Sequence, residues 1–187
     1  QGQDHCPRRD RIPRHPGIVM TDLPRQTQSI SWTAPVDVMR AAAGLDMGGY
    51  LRAVVDGELP NSPAIELMGV RLERFENGGA EVSFRPCAYH VNFVGAVHGG
   101  VISAVLDSCI GYAVNTTLKP NEAFVTTQLG IQYVRGIRPG TAAFTAKARL
   151  RHRGARVVFA EAVLTNDQDV VHALATATCS ITERIAG

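Results

Sequence analysis

The chain has 187 residues, a formal net charge of +2, 45% hydrophobic residues and 19% charged residues. This length suits one domain or one domain with a tail, and the composition supplies enough apolar side chains for a core. The small net charge argues against nucleic acid as a partner. No apolar run reaches the roughly 20 residues of a membrane-spanning helix, so we expect no membrane partner.

The cysteine and histidine spacing argues against a metal or redox site. The four cysteines lie far apart and form no C-x-x-C pair, which a zinc ribbon or a thioredoxin-like motif would need. Cys109 and Cys179 lie in apolar runs, and we expect them to be reduced core residues of a cytoplasmic protein. No cluster of His, Asp and Glu has the spacing of metal ligands.

The N-terminal third predicts a tail followed by helix. Residues 1–33 begin with a polar, basic stretch that contains proline and lacks the apolar segment of a secretory signal, so we expect a disordered tail. A helical segment and a loop are predicted over residues 34–63. Gly44, Gly48 and Gly49 weaken this helix, because each costs up to ~1 kcal/mol in a helix interior, and two short helices are the alternative.

Residues 64–184 have the pattern of a single domain with the order ββ, helix, ββββ. Two β-type segments, 68–75 and 80–85, flank the turn sequence Glu76-Asn77-Gly78-Gly79, which is a strong hairpin signal. A long helix is predicted from Gly100 to about Leu118. Four further β-type segments follow, at residues 123–134, 141–151, 156–165 and 170–182.

The length of the strands and the composition of the helix together predict the fold. The helix is apolar nearly all round, which predicts burial on every side. Most of the later strands are longer than the usual ~5–6 residues, which suits a strongly curved sheet. We therefore predict an α+β hotdog fold, in which a curved antiparallel sheet wraps one long central helix, with an extra N-terminal helical segment.

Four residues around the start of this helix point to chemistry. Asp107 is a carboxylate inside the apolar helix, where an unpaired charge costs several kcal/mol, so it is either less buried than predicted or a working group. Gly99 lies at the helix start, where free N–H groups and the helix dipole favour an anion or a developing oxyanion. Asn92 and His98 precede it in the same segment.

The spacing of Gly99 and Asp107 predicts a dimer. Asp107 follows Gly99 by eight residues, which separates the two by roughly 12 Å along a helix. One chain therefore cannot easily bring both groups to the same carbonyl. If two such helices pack antiparallel across a two-fold axis, Gly99 of one copy faces Asp107 of the other, which gives two shared sites.

The segment HVNFVGAVHGGVISAVLD resembles the signature of hotdog-fold acyl-CoA thioesterases of the phenylacetate-pathway (PaaI-like) type, within the 4-hydroxybenzoyl-CoA thioesterase superfamily. That signature is N-x-x-G-x-x-H-G-G with a carboxylate nine residues after the His. Every position is filled here, by Asn92, Gly95, His98, Gly99, Gly100 and Asp107. The resemblance extends over about residues 65–181 and implies hydrolysis of an acyl-CoA.

The resemblance also implies a role for each site residue. Asp107 is expected to act as general base or nucleophile, and the Gly99 amide to hold the oxyanion. Asn92 is expected to orient the attacking water or the carbonyl, and His98 to position the loop and the substrate. Family members often carry a Ser or Thr on the strand after the helix, and here that is Thr126, with Thr127 as the alternative. Successive strand residues face opposite sides, so only one of them can serve.

Substrate and partner expectations follow from the same resemblance. Coenzyme A carries phosphates, and the basic cluster of Arg149, Arg151, His152, Arg153 and Arg156 around one turn is a candidate phosphate site, unless it is only a solvated turn. With these arginines, Gly100 is expected to contact the coenzyme A part of the substrate. No separate cofactor is expected. We expect at least a homodimer, and the homotetramer of two dimers is common in the family.

Two other functions remain open. A hotdog domain can bind an acyl-CoA as a sensor or regulator without cleaving it, although a pure binder would have no use for the carboxylate of Asp107. A hydratase or dehydratase of the same fold is the second alternative. Those enzymes use a histidine and an acidic residue in a different arrangement, which His98-Gly99-Gly100 does not match. Release of free thiol from an acyl-CoA distinguishes the hydrolase from both.

Overall fold

The computed structural model describes residues 23–140 and 142–183. The predicted tail lies outside the described residues over its first 22 positions, and residues 23–33 form neither helix nor strand. The helices are α1 (Pro35–Ala41), α2 (Met47–Val55), α3 (Pro63–Leu67) and α4 (Gly99–Asn115). The strands are β1 (Val70–Glu76), β2 (Gly79–Phe84), β3 (Glu122–Tyr133), β4 (Phe144–Arg153), β5 (Val157–Thr165) and β6 (Val171–Glu183).

The six strands form one antiparallel sheet in the order β1-β2-β4-β5-β6-β3. α4 packs against every strand of this sheet. β3 lies at one edge and β1, which carries α2 and α3, at the other. This arrangement confirms the predicted hotdog fold with its additional N-terminal helices.

Small side chains on the inner face of the sheet let it approach α4 closely. The alternation of buried and exposed residues along β4, β5 and β6 puts one set of side chains under the helix. Alanine dominates that set, at Ala146, Ala148, Ala160, Ala162, Ala173, Ala175 and Ala177. Over these small residues the larger side chains of the helix fill the space, and its Leu106 and Ile110 are fully buried.

The prediction that α4 is buried on every side is wrong for the single chain. Its inner face is buried through Ile102, Val105, Leu106, Cys109, Ile110, Ala113 and Val114. The opposite face carries Ser103, Ala104, Asp107, Ser108 and Gly111, which are only half-buried. Small and polar residues interrupt the apolar pattern on that face, and this is why Asp107 retains contact with solvent.

The ends of α4 have local causes. At its start, the Nδ1 atom of His98 accepts a hydrogen bond from the Gly100 amide at 2.9 Å. The helix ends at Asn115, earlier than predicted, because the next two residues are threonines whose hydroxyls bond to its last turn. Thr116 donates to the Ala113 carbonyl at 2.7 Å and Thr117 to the Val114 carbonyl at 2.8 Å.

The predicted helical segment forms two short helices, which is the alternative that its glycines left open. Gly44 has a φ of +91°, which breaks the chain between α1 and α2. Asp46 then begins α2, accepting a hydrogen bond from the Gly49 amide at 2.7 Å. The short helix α3 begins at Pro63, the last residue of the predicted loop, and was not predicted. The predicted hairpin joins β1 to β2, with Gly78 at a φ of +78° in its turn.

Candidate active site

The loop before α4 is held in shape by Asn92. The Oδ1 atom of Asn92 accepts hydrogen bonds from the amides of Val94 at 3.1 Å and Ala96 at 3.2 Å. A backbone bond from the Asn92 amide to the Ala96 carbonyl at 2.8 Å and the positive φ of Gly95 complete the turn. Both lone pairs of the side-chain oxygen are therefore used within the loop. The side chain of Asn92 can contact a substrate only through its nitrogen, Nδ2.

A buried histidine, His90, fixes the backbone next to the site. The sequence did not predict this role. His90 is 4% exposed; its Nδ1 accepts from the Cys87 amide at 3.1 Å, and its Nε2 lies 3.4 Å from the Leu67 carbonyl. This pattern assigns the neutral tautomer with the proton on Nε2, and burial lowers the pKa of His90. The His90 carbonyl in turn accepts a hydrogen bond from the His98 amide at 2.8 Å.

The first turn of α4 presents one open amide. His98 is exposed and its ring bonds the Gly100 amide, so that amide is already engaged. Within the described part of the chain, the Gly99 amide donates no hydrogen bond. The N–H group predicted to hold an oxyanion is thus available, whereas Gly100 is not free to bond a ligand through its own N–H.

Tyr133, at the end of β3, lies against Gly99. Its hydroxyl is 3.0 Å from the Gly99 carbonyl oxygen and 2.7 Å from the Ser103 hydroxyl, which is itself 3.0 Å from the same carbonyl. A Cβ atom at Gly99 would stand 3.1 Å from the Tyr133 ring, so a larger residue here would force the ring to shift. No local sequence pattern indicates this contact, because the two residues are 34 positions apart.

Asp107 meets a threonine from the neighbouring strand. The Thr126 hydroxyl donates a hydrogen bond to Asp107 Oδ1 at 3.0 Å. Cys179, which is fully buried, lies behind it with its sulfur 4.0 Å from the same hydroxyl. Thr127 bonds instead to the Thr178 carbonyl at 3.0 Å. Of the two threonines left open by the sequence, Thr126 is the one that contacts Asp107.

The predicted basic cluster is largely engaged with carboxylates. Arg149 and Arg151 both bind Glu161, at 2.8 Å and 2.5 Å. Arg153 binds Glu122 at 2.5 Å. Hydrogen bonds from the Lys119 amide and from Arg153 lower the pKa of Glu122, which keeps this pair charged.

Arg156 is the exception in this cluster. Its side chain is exposed and makes no ion pair or hydrogen bond within residues 23–140 and 142–183. Its backbone carbonyl accepts from the Ile181 amide at 2.9 Å, and Ile181 pairs with Phe124 on β3. Arg156 therefore lies two strands from β3, roughly 10 Å away, at the end that carries Thr126.

The part of the chain that the structure describes has no metal-ligand cluster and no membrane-spanning helix. Among the described residues, no group of three or more His, Cys, Asp and Glu side chains is placed to hold a metal ion. In the same part of the chain, no helix is both long enough and apolar enough to cross a membrane.

The sequence matches known proteins over this region. Residues 94–173 match the family model described as the thioesterase superfamily. The chain is 32% identical over 132 residues to the medium/long-chain acyl-CoA thioesterase YigI of Escherichia coli K12, covering 62% of this chain and 83% of that protein. It is 28% identical over 100 residues to the "Putative esterase SSO1253" of Saccharolobus solfataricus, of whose length the match spans only 65%.

Solved structures agree with these matches. A phenylacetic acid degradation-related protein of Ralstonia eutropha JMP134 superposes with a TM-score of 0.64 at 28% identity, covering 70% of this chain and 98% of that one. The PaaI protein of the E. coli phenylacetic acid degradation operon has the same fold, with a TM-score of 0.62 at 23% identity, covering 73% and 94%. The prediction of a thioester hydrolase is confirmed at the level of the family, since the chain belongs to the thioesterase superfamily.

Proposed function

We propose that this protein hydrolyses the thioester of an acyl-CoA to a free acid and coenzyme A. The observation that carries the proposal is the hydrogen bond from the Thr126 hydroxyl to Asp107. Asp107 lies on the helix α4, whose first turn offers the open Gly99 amide. The E. coli relative is named a medium/long-chain acyl-CoA thioesterase, which supports coenzyme A esters as substrates. Esters with medium or long aliphatic chains are therefore the first substrates to test.

Asp107 and Thr126 are suited to activate water. Thr126 uses its proton in the bond to Asp107 Oδ1, so its oxygen can accept a hydrogen bond from a water molecule. Asp107 Oδ2 then takes a proton from that water as its oxygen attacks the thioester carbon. The half-buried position of Asp107 suits this task, since its carboxylate is reachable from solvent yet lies on a face of α4 that a bound substrate can cover.

The Gly99 amide serves the other half of the reaction. As water adds, the carbonyl oxygen becomes an oxyanion, and an N–H group at a helix N-terminus stabilises it. Collapse of this intermediate restores the carbonyl, breaks the carbon–sulfur bond and releases coenzyme A as its thiolate. The thiolate takes up a proton from solvent. Asp107 releases to solvent the proton that it removed from water, so the protons balance.

The site requires two copies of the chain in this proposal. Gly99 and Asp107 lie on one straight helix, eight residues and roughly 12 Å apart, which is too far for a single carbonyl to reach both. The half-buried face of α4 and the edge strand β3 lie side by side next to Asp107. A second copy packed antiparallel there would bring its Gly99 to Asp107, and a homodimer with two such sites is the predicted active species.

Arg156 is the best-placed phosphate contact of the predicted set. Arg151 and Arg153 would have to exchange a carboxylate for phosphate, whereas the exposed Arg156 guanidinium would not. If Arg156 binds a phosphate of coenzyme A, Arg156→Ala raises KM several-fold and leaves kcat unchanged. An acyl substrate on a short thiol without phosphates then shows no difference between the two proteins.

The test is release of free thiol from a panel of aliphatic and aryl coenzyme A esters. Asp107→Asn keeps the shape and the bond from Thr126 but removes the base, and we expect kcat to fall at least ~100-fold, about 2.7 kcal/mol of barrier. Asp167→Asn, an exposed carboxylate in the β5–β6 turn, is the matched control and should be unchanged. A folded wild type that binds these esters but turns over none of them contradicts hydrolysis and favours the sensor.

A further inference from the structure

The geometry points to Tyr133 as a positioning residue for the oxyanion amide, acting by clamping the Gly99–Gly100 peptide against the helix start. The inference rests on the proposed function for its catalytic consequence. Its structural half, the clamp itself, can be tested without turnover.

The start of α4 consists of two consecutive glycines. Neither residue has a side chain to restrict its backbone, so the unconstrained Gly99–Gly100 peptide would sample many orientations. A preorganised oxyanion site needs the opposite, because a donor that must be reoriented during the reaction loses much of its value. Something other than the glycines has to fix this segment.

The structure fixes the Gly99–Gly100 peptide at both ends. Its N–H group, on Gly100, donates to His98 Nδ1 at 2.9 Å. Its carbonyl oxygen, on Gly99, has the Tyr133 hydroxyl and the Ser103 hydroxyl each at 3.0 Å. With this peptide held, the preceding amide, on Gly99, is the donor left open in the described part of the chain.

The hydroxyl protons of the clamp are both used inside it. The Gly99 carbonyl oxygen, Tyr133 Oη and Ser103 Oγ form a triangle with three short contacts and only two hydroxyl protons. When both protons serve these contacts, neither hydroxyl has a proton left for a bound oxyanion. Tyr133 therefore acts through the Gly99 backbone and not on the reacting atoms.

The ring of Tyr133 adds a steric restraint. It lies so close to the Gly99 Cα that an added Cβ would stand 3.1 Å from Cζ and from Oη. Glycine at position 99 and tyrosine at position 133 are thus fitted to each other. Ser103, one helical turn after Gly99, supports the hydroxyl but does not touch the ring in this way.

The kinetic test compares Tyr133→Phe with Tyr89→Phe. Tyr133→Phe keeps the ring and removes one hydrogen bond, and we expect kcat and kcat/KM to fall together by about three- to tenfold with KM unchanged. Tyr89 is the matched control: it is similarly exposed, and its hydroxyl contacts the backbone carbonyl of Leu67 instead of that of Gly99. A rise in KM at constant kcat, or no change in kcat, would overturn the positioning role.

A double-mutant cycle tests the fit between the two residues. Gly99→Ala pushes the ring away and Tyr133→Ala removes it, so both break the same clamp. We expect the double variant to lose no more activity than the worse single variant, within about twofold. Losses that multiply would show that the two residues act independently.

Amide exchange separates this inference from the proposed function. In Tyr133→Phe, the Gly100 amide should exchange with solvent at least about threefold faster than in the wild type, because its peptide has lost one anchor. If the wild type cleaves no thioester, the proposed function fails, and faster exchange would still support the clamp. Unchanged exchange at Gly100 refutes the clamp whatever the activity.

Discussion

Replacing Thr126 by valine removes the only hydroxyl that the described chain brings to Asp107, and it does so without changing the shape of the side chain. The bond is 3.0 Å long and joins a hydroxyl to a carboxylate. Hydrogen bonds to charged groups contribute about 1.5–3 kcal/mol, and the half-buried setting favours the lower half of that range. A loss of about 1.5–2 kcal/mol corresponds to a fall in kcat/KM of roughly 10- to 30-fold.

The assay is thiol release from an acyl-CoA that the wild type turns over. Thr127→Val is the matched control, because Thr127 is the next residue on the same strand and bonds the Thr178 carbonyl on the other face. It should keep activity within about twofold. Equal losses in the two variants, or an unchanged Thr126→Val with an unaltered melting temperature, would refute the assignment of Thr126 to the water site.

Three further predictions concern stability and reactivity. Leu106→Ala, at a fully buried position of α4, should lower the free energy of unfolding by about 2–5 kcal/mol in urea titrations, whereas the exposed Val36→Ala should change it by less than ~0.5 kcal/mol. Burial lowers the pKa of His90, so its contribution to stability is fully present above the unfolded pKa of about 6.5 and is lost as the pH falls below that value. The urea midpoint of the wild type should therefore be lower at pH 5.5 than at pH 8, and this difference should be smaller in His90→Gln. An equal difference in the two proteins would contradict the assignment of a neutral His90. Burial raises the pKa of the Cys109 thiol to about 12, so alkylation of the native protein, mapped by mass spectrometry, should label Cys87 and spare Cys109 until the protein unfolds.

The parts of the fold that depend on local pattern could be predicted from the sequence. The hairpin at Asn77-Gly78 has a turn whose backbone only a few residues adopt, so two positions sufficed to locate it. α4 and the strands follow from apolar periodicity, which is a property of neighbouring residues. The error about the burial of α4 has the same origin: periodicity showed an apolar helix, but the extent of burial depends on what covers each face.

The parts of the site that depend on distant contacts could not be predicted. Tyr133 reaches Gly99 only because β3 ends beside the start of α4, and neither residue carries a sign of the other. The choice between Thr126 and Thr127 likewise required the register of β3 against α4. The basic cluster shows a third case, since charge in the sequence did not reveal that Glu122 and Glu161 already neutralise most of it.

The alanines beneath α4 also set the distance between the helix and the sheet. Asp107 belongs to the helix and Thr126 to the sheet, so the distance between them depends on how far apart these two layers stand. Residues such as Ala160 and Ala177 set that gap by their size. A single added methyl group in this layer, remote from the proposed site, would move the helix away from the sheet by a fraction of an ångström. It would thereby lengthen the contact between Asp107 and Thr126. The thickness of the protein interior therefore sets the geometry of the proposed site.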